Sequence, residues 1–424
     1  MRGPAWLMVR RSIAVPMTVV ALVAGLGLLF SRSAWQFNTL AAIDWASGGI
    51  VLMLPLHVGA ASFDGWRLWK GSMRTLLAPA IRSRRGLFVL AGVHSAAAVS
   101  SWIVTVGVAY SVALARGATA QFDVFMFVHP AALLIAGATC GVALGAAISR
   151  PWVSPVLAIT VFAITVAAEN TPTFQRFFMA GGHTGWSPTF RYIPSLAVEK
   201  AVIWSLVALA GALLAVSLES ALGGSRVMKR GASGIAIGAG VLLVGVAVVQ
   251  PVDTSGLTSR STVIECFGDS PAICVDTDER ILADTFAGPL SEAYAALAPY
   301  GVTPPDRILD LRLAAKPDLH SGGASISPDV FGEGYPSREQ LLQTITEPAL
   351  CPGYFGDGSD PILAVRGAVH EWANLTLPGA IDASAWEDLY PDMPKADVDA
   401  WIAEAYQALK SCDADALSPP GGIG

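Results

Sequence analysis

The chain has 424 residues, of which 53% are hydrophobic and 14% charged, with a net charge of −6 and a mean hydropathy of +0.53. A soluble domain carries about 25% charged residues, so this composition excludes a wholly soluble protein and places the chain among integral membrane proteins. There is no basic tail, aromatic–basic interleaving or nucleic-acid motif, which excludes nucleic-acid binding.

The charge is split along the chain. Residues 1–250 hold 18 Lys and Arg against 6 Asp and Glu, a net +12; residues 251–424 hold 9 against 27, a net −18. The boundary is the apolar stretch Gly231–Val249, closed by Gln250-Pro251. This polarity predicts a transmembrane domain over 1–250 and an acidic, disulfide-bonded extracytoplasmic domain over 251–424.

Met1–Arg11 is short and basic, and Ser12–Phe30 is apolar and long enough to span. The run exceeds a secretory h-region and no small-residue cleavage site follows at Ser31–Trp35, so it reads as a retained first helix. Further apolar stretches at about 41–62, 87–114, 122–149, 151–168, 197–221 and 231–250 bring the total to six or seven spans. The fifth only just reaches across a ~30 Å hydrocarbon core. Pro55 and Pro130 are expected to kink the second and fourth spans. Small residues, as in Gly137–Ala147, let helices approach closely in lipid.

Orientation follows from Lys and Arg in the connecting segments. The N-terminus and the segments after spans two, four and six hold thirteen of them, the alternate segments five. That bias puts the N-terminus in the cytoplasm, and seven spans put residues 251–424 outside. The expected location is a bacterial cell membrane.

Ionisable residues inside spans are functional candidates by default. His57, His94 and His129 lie within or near spans, and Asp44, Asp123, Glu169, Glu199 and Glu219 near span ends. No clear spacing pairs them, so the sequence gives a proton or ion relay little support. The segment Ser62–Arg85 carries Trp66, Trp69, Met73 and Leu76/Leu77 at helical spacing, flanked by Arg67, Lys70 and Arg74. It reads as an amphipathic helix lying on lipid headgroups or docking a cytoplasmic partner. The stretch Glu169–Ser195 is rich in aromatics, Pro and Gly, and predicts short interfacial or re-entrant helices.

The outer domain predicts α+β with about four helices. Arg280–Leu297 has helical periodicity, Asp306–Leu313 alternates as a strand, and Ser337 with Gln340 forms a capping box opening a helix to about Ala349. Ile362–Leu375 and a final helix around Val398–Leu409 complete it. Cys266, Cys274, Cys351 and Cys412 all fall in this half, an even set suited to an oxidising compartment. Four cysteines allow three pairings; Cys266–Cys274 with Cys351–Cys412 is favoured, because ECFGDSPAIC closes a small loop over Gly and Pro. His370-Glu371-Trp372-Ala373-Asn374 echoes the HExxH zinc motif. Asn374 stands where the second His ligand belongs and a carboxamide binds zinc poorly, so His370 and Glu371 are weak metal candidates and the motif reads as inactive. No cofactor is implied. There is no phosphate-binding loop, so any ATPase lies on another chain.

The basic amphipathic N-terminus, six spans, a basic helical segment after span two and an aromatic segment before span six resemble the permease of a type-2 ABC exporter. The seventh span and outer domain, with Cys266–Val275 following the last span, are similar to permease-like proteins of high-GC bacteria. The resemblance implies a cytoplasmic ABC ATPase partner, contacted through Trp66, Arg67, Trp69, Lys70 and Arg74. It also implies a second permease copy or paralogue, and an outer cap over Phe174–Tyr192. The cargo class it implies is a lipid, peptide or antibiotic-like molecule. The seventh span departs from that family, whose core ends inside. The alternatives are a membrane-anchored metallopeptidase-like protein, or a non-transporting envelope assembly or receptor protein with an extracytoplasmic protein partner.

Overall fold

The computed structural model describes residues 10–32, 34–70, 86–148, 150–169, 178–182, 190–221, 257–259, 263–310, 313, 324–326, 336–349, 361–378 and 394–413. The apolar half is a helical bundle: α1 (Ala14–Leu29), α2 (Thr39–Gly48), α3 (Ile50–Lys70), α4 (Gly86–Ala115), α5 (Phe125–Ile148), α6 (Val153–Glu169) and α7 (Pro194–Ala221). Each of the first six expected spans has its helix; the seventh, 231–250, lies outside the described residues. Among the described residues three helices, α4, α5 and α7, are long and apolar enough to cross a membrane, and α2 with α3 make a fourth if the pair, bent by 40°, is one span. The apolar helices α1 and α6 are 16 and 17 residues long, about 24–26 Å. Large apolar side chains face outward, such as Val23 and Ile159, while Trp102, Leu133 and Leu134 fill the inside. Helices apolar on every side suit a lipid surround.

Two local features differ from expectation. The bend in the second span lies at Gly48–Gly49, before Pro55, which sits inside α3. A Cβ on Gly48 would lie 2.7 Å from the Gly182 backbone, so only glycine lets the two chains meet there. Secondly, residues 62–70 do not form a separate surface helix; they continue α3, with Ser62, Asp64 and Leu68 buried in the bundle. The amphipathic pattern is real, but its inner face packs on protein. Residues 71–85, including Arg74, lie outside the described residues.

α3 and α5 pack closely through small residues. Gly141 and Gly145 stand where a Cβ would come within 2.8 Å of the Val58 carbonyl oxygen and 1.9 Å of that of Ser62. This is the close approach the Ala/Gly-rich sequence predicts, and its energy is dispersion at short range.

In the C-terminal half, β3 (Ile264–Phe267), β4 (Ala272–Asp276), β5 (Arg307–Asp310) and β6 (Ala324–Ile326) form one sheet in that order, antiparallel between β3 and β4 and parallel beyond. It is covered by α8 (Arg280–Leu297), α9 (Arg338–Thr346), α10 (Pro361–Thr376) and α11 (Lys395–Ser411) around a core that includes Phe286, Trp372 and Tyr406. The expected capping box of Ser337 and Gln340 is present, and α9 ends three residues earlier than Ala349. Cys266 and Cys274 face each other across the β3–β4 hairpin and are bonded. Cys412 is also disulfide-bonded; Cys351 lies outside the described residues.

The two halves are joined at one end of the bundle. β1 (Phe190–Tyr192), just before α7, pairs antiparallel with β2 (Leu257–Ser259). Phe37, from the connection between α1 and α2, sits in the core of the C-terminal half. Asn38 Nδ2 donates to the buried Glu279 Oε1 at 2.7 Å, while Asn38 Oδ1 caps α2 by accepting from Leu40 and Ala41. α7 starts beside β1 and its 28 residues carry it about 42 Å away, so the chain leaves at one end and re-enters at the other at Leu257.

Candidate functional site

A seam of polar side chains runs through the bundle between α3 and α4, which are antiparallel neighbours. On α3, His57 and Asp64 are seven residues apart; on α4, so are His94 and Ser101. Seven residues are two helical turns, so each pair shares a face about 10.5 Å apart. The antiparallel arrangement matches them into two rungs.

The first rung centres on Asp64, whose side chain is 0% exposed, as is that of His94. Asp64 Oδ2 accepts from Ser12 Oγ at 2.6 Å, from the Ile13 amide at 2.9 Å and from His94 Nε2 at 3.1 Å. Arg67, one turn on, reaches Asp64 Oδ1 at 3.2 Å and is 25% exposed. One carboxylate therefore ties the start of α1 to α3 and α4. A buried carboxylate needs such donors, since an unpaired one costs several kcal/mol. The Asp64 carboxylate also faces the positive N-terminal end of α1, as an acidic N-cap would.

In the second rung, His57 Nε2 lies 3.0 Å from Ser101 Oγ, which itself donates to the Ala98 carbonyl at 2.8 Å. Both histidines are fully buried, and neither Nδ1 has a hydrogen-bond partner among the described residues. Toward the end of the bundle that joins the C-terminal half, Trp102 Nε1 donates to Ser47 Oγ at 3.2 Å. There Asp44 receives the Tyr192 hydroxyl at 2.6 Å and the Gly182 amide at 3.1 Å. Burial, and then the Asp44 carboxylate, hold the Tyr192 phenol well above its usual range, so it remains a donor.

The chain matches no protein-family model, no curated protein and no solved structure. Its chemistry has to be read from its own side chains.

The residues singled out from the sequence fall in three places. Trp66, Arg67 and Trp69 lie on the last turns of α3, half-buried; Lys70 ends the helix, and its side chain, like all of Arg74, is outside the described residues. Phe178 packs edge-on to Trp204 at 5.3 Å, and Phe190–Tyr192 is a strand where short helices were expected; Phe174, Phe177 and Trp186 lie outside the described residues. In the C-terminal half, His370 and Glu371 lie on α10, with His370 Nε2 3.5 Å from Glu339. The Asn374 carboxamide accepts from Arg338 Nε at 2.9 Å, and the same guanidinium donates to the Leu377 and Pro378 carbonyls that end α10. Asn374 thus serves a helix-end clamp. No metal-holding group of three occurs among the described residues.

Sequence reasoning missed Asp64 and Ser12. Asp64 sits in a stretch that reads as cytoplasmic surface, and Ser12 reads as the flank of a span. The available signal was the matched seven-residue spacing, legible only once α3 and α4 are known to be antiparallel neighbours.

Proposed function

We propose that the chain is the membrane-embedded permease subunit of an ABC-type transporter, driven by an ATPase on a separate chain. The observation that carries this reading is the continuity of α3. One rigid helix runs from the Gly48–Gly49 break, past both polar rungs, to the Trp66–Lys70 end. A force applied at that end reaches the interior through Asp64 to α1 and α4. A coupling element in a transporter needs that connection between a partly exposed handle and the pathway walls.

The proposed topology places the N-terminus inside, seven spans across the bilayer and the C-terminal domain outside. Three features support it: Arg10, Arg11, Arg67 and Arg150 lie at the Ser12–Asp64 end, the disulfide-bonded half joins the opposite end, and Ala221 and Leu257 lie at different ends. Cargo would be a lipid, peptide or antibiotic-like molecule received at the clamped outer domain, and a second copy or paralogue would complete the assembly.

The test is purification of the tagged chain from its native membrane in mild detergent. A stoichiometric ABC ATPase is expected, and reversal of Lys70 to Glu, which spares the Arg67–Asp64 pair, should release it while the chain stays folded. Reproducible absence of an ATPase, or binding that survives the reversal, overturns the reading. The clamp between the halves favours a second reading, a receptor or envelope assembly protein, which predicts a stable outer-facing protein partner instead.

A further inference from the structure

We propose that α2 is a lever through which the C-terminal half sets the position of α3, with the Gly48–Gly49 bend as its pivot. Nothing in this lever requires an ATPase, so it stands apart from the permease reading. The start of α2 is held by the C-terminal half. Phe37 lies in that half's core, and Asn38 Nδ2 donates at 2.7 Å to Glu279 Oε1, whose residue is 0% exposed. Six residues later, about 9 Å along the helix, Asp44 Oδ1 accepts from the Tyr192 hydroxyl at 2.6 Å. Tyr192 belongs to β1, which pairs with β2 along its whole length, and β2 leads into β3 at Ile264. One directional hold would let a short helix swivel. Two holds, from separate elements, fix its direction as well as its place.

The other end of α2 rests on the bundle. Ser47 Oγ accepts from Trp102 of α4, and Gly48 meets the Gly182 backbone with no side chain between them. The Gly182 amide is held in turn by the Asp44 carbonyl at 2.8 Å and by its carboxylate at 3.1 Å. Backbone hydrogen bonds also cross the bend, from Gly49 N to Ala46 O and from Met53 N to Gly49 O, each at 3.1 Å. The bend is therefore a stiff elbow, and an α2 turned at its start carries α3 with it. Rotation of a rigid part about a fixed contact is a common way to carry a movement through a protein. Two further ties let the start of α2 move. Thr39 Oγ1 donates to the Thr119 carbonyl at 2.9 Å, on the irregular connection between α4 and α5, which can travel with α2. Ile281 lies against Gly117 of the same connection, an apolar and non-directional contact that tolerates sliding.

Fluorine NMR of the full chain in nanodiscs, with fluorotryptophan throughout, tests this. Trp45 adjoins Asp44, and Trp66 and Trp69 sit on α3, about 24–29 Å beyond the bend. Their signals, and that of Trp372, are assigned by W45F, W66F, W69F and W372F. Y192F removes one hold. N38S removes the other and keeps the cap of α2. Each should move the Trp45 signal, and the double variant should shift or split the Trp66 and Trp69 signals by more than either single variant does. A46G adds a glycine beside Gly48 and Gly49 and softens the elbow. On that background the double variant should still move Trp45 but leave Trp66 and Trp69 where A46G alone puts them. An unaltered Trp372 signal, from the core of the C-terminal half, reports that each variant is folded. A Trp45 signal that stays put when both holds are cut, or Trp66 and Trp69 signals that do, overturns the lever. Equal movement of Trp66 and Trp69 with and without A46G overturns the bend as its pivot. ATPase co-purification is scored separately, so a failed permease reading and a failed lever are distinguishable.

Discussion

Replacing Asn38 with Ala should loosen the joint between the two halves. The side chain does two jobs: Oδ1 caps α2 through Leu40 at 2.9 Å and Ala41 at 3.1 Å, and Nδ2 donates to the buried Glu279 at 2.7 Å. Loss of a cap costs about 1 kcal/mol. Loss of a hydrogen bond to a buried carboxylate costs about 1.5–3 kcal/mol. Together, about 2.5–4 kcal/mol corresponds to amide exchange on the order of 100- to 1,000-fold faster. Hydrogen-exchange mass spectrometry of the full chain in nanodiscs reads both ends, the α2 start and the residues opening α8. Asn38→Ser separates the terms, since a hydroxyl still caps α2 but is too short to reach Glu279. It should protect α2 and release only the α8 start. Unchanged exchange around Glu279 in Asn38→Ala would refute the joint, and equal effects of Ala and Ser would refute the division of labour.

Three further outcomes follow from the packing and the charges. Gly145→Ala puts a methyl group into the Ser62 carbonyl and should destabilise the α3–α5 pair by about 1–3 kcal/mol, seen as a lower thermal midpoint in detergent, while Gly107→Ala, where nothing lies within 4 Å, should not. Cys266 and Cys274 close a loop of sequence separation 8, worth about 2.5 kcal/mol by loop entropy; replacing both with Ser should destabilise the C-terminal half by that order, measured as faster exchange in β3 and β4. Glu347, paired with Arg366, has its carboxyl pushed up, first by burial. Because its folded pKa lies above the unfolded one, the folded state holds the proton longer, and the group subtracts stability as pH rises from the unfolded value through the folded one. The advantage of Glu347→Gln over wild type should therefore grow with pH across that window and then level off, in thermal scans of the full chain; an advantage that shrinks with rising pH would contradict the sign.

Much of the local structure is legible in the sequence alone. Apolar runs long enough for a bilayer, the 3.6-residue periodicity of α8, α10 and α11, the Ser337–Gln340 capping box and the Cys266–Cys274 hairpin each depend on residues within one turn, one helix or one tight loop. Their energetics are local, so a sequence window contains them. The pairing of Phe190–Tyr192 with Leu257–Ser259 is different: each strand is three residues long and has no partner until distant parts of the chain meet. Pro55 drew the expected bend to itself, whereas the tertiary approach of Gly182 put it at Gly48–Gly49. Asp64 looked like a surface charge because charged neighbours follow it. Only the packing of α1, α3 and α4 turned it into a buried carboxylate holding Ser12, Ile13 and His94. Burial of a charge is decided by what surrounds it, and those surroundings come from contacts 30 to 52 residues apart.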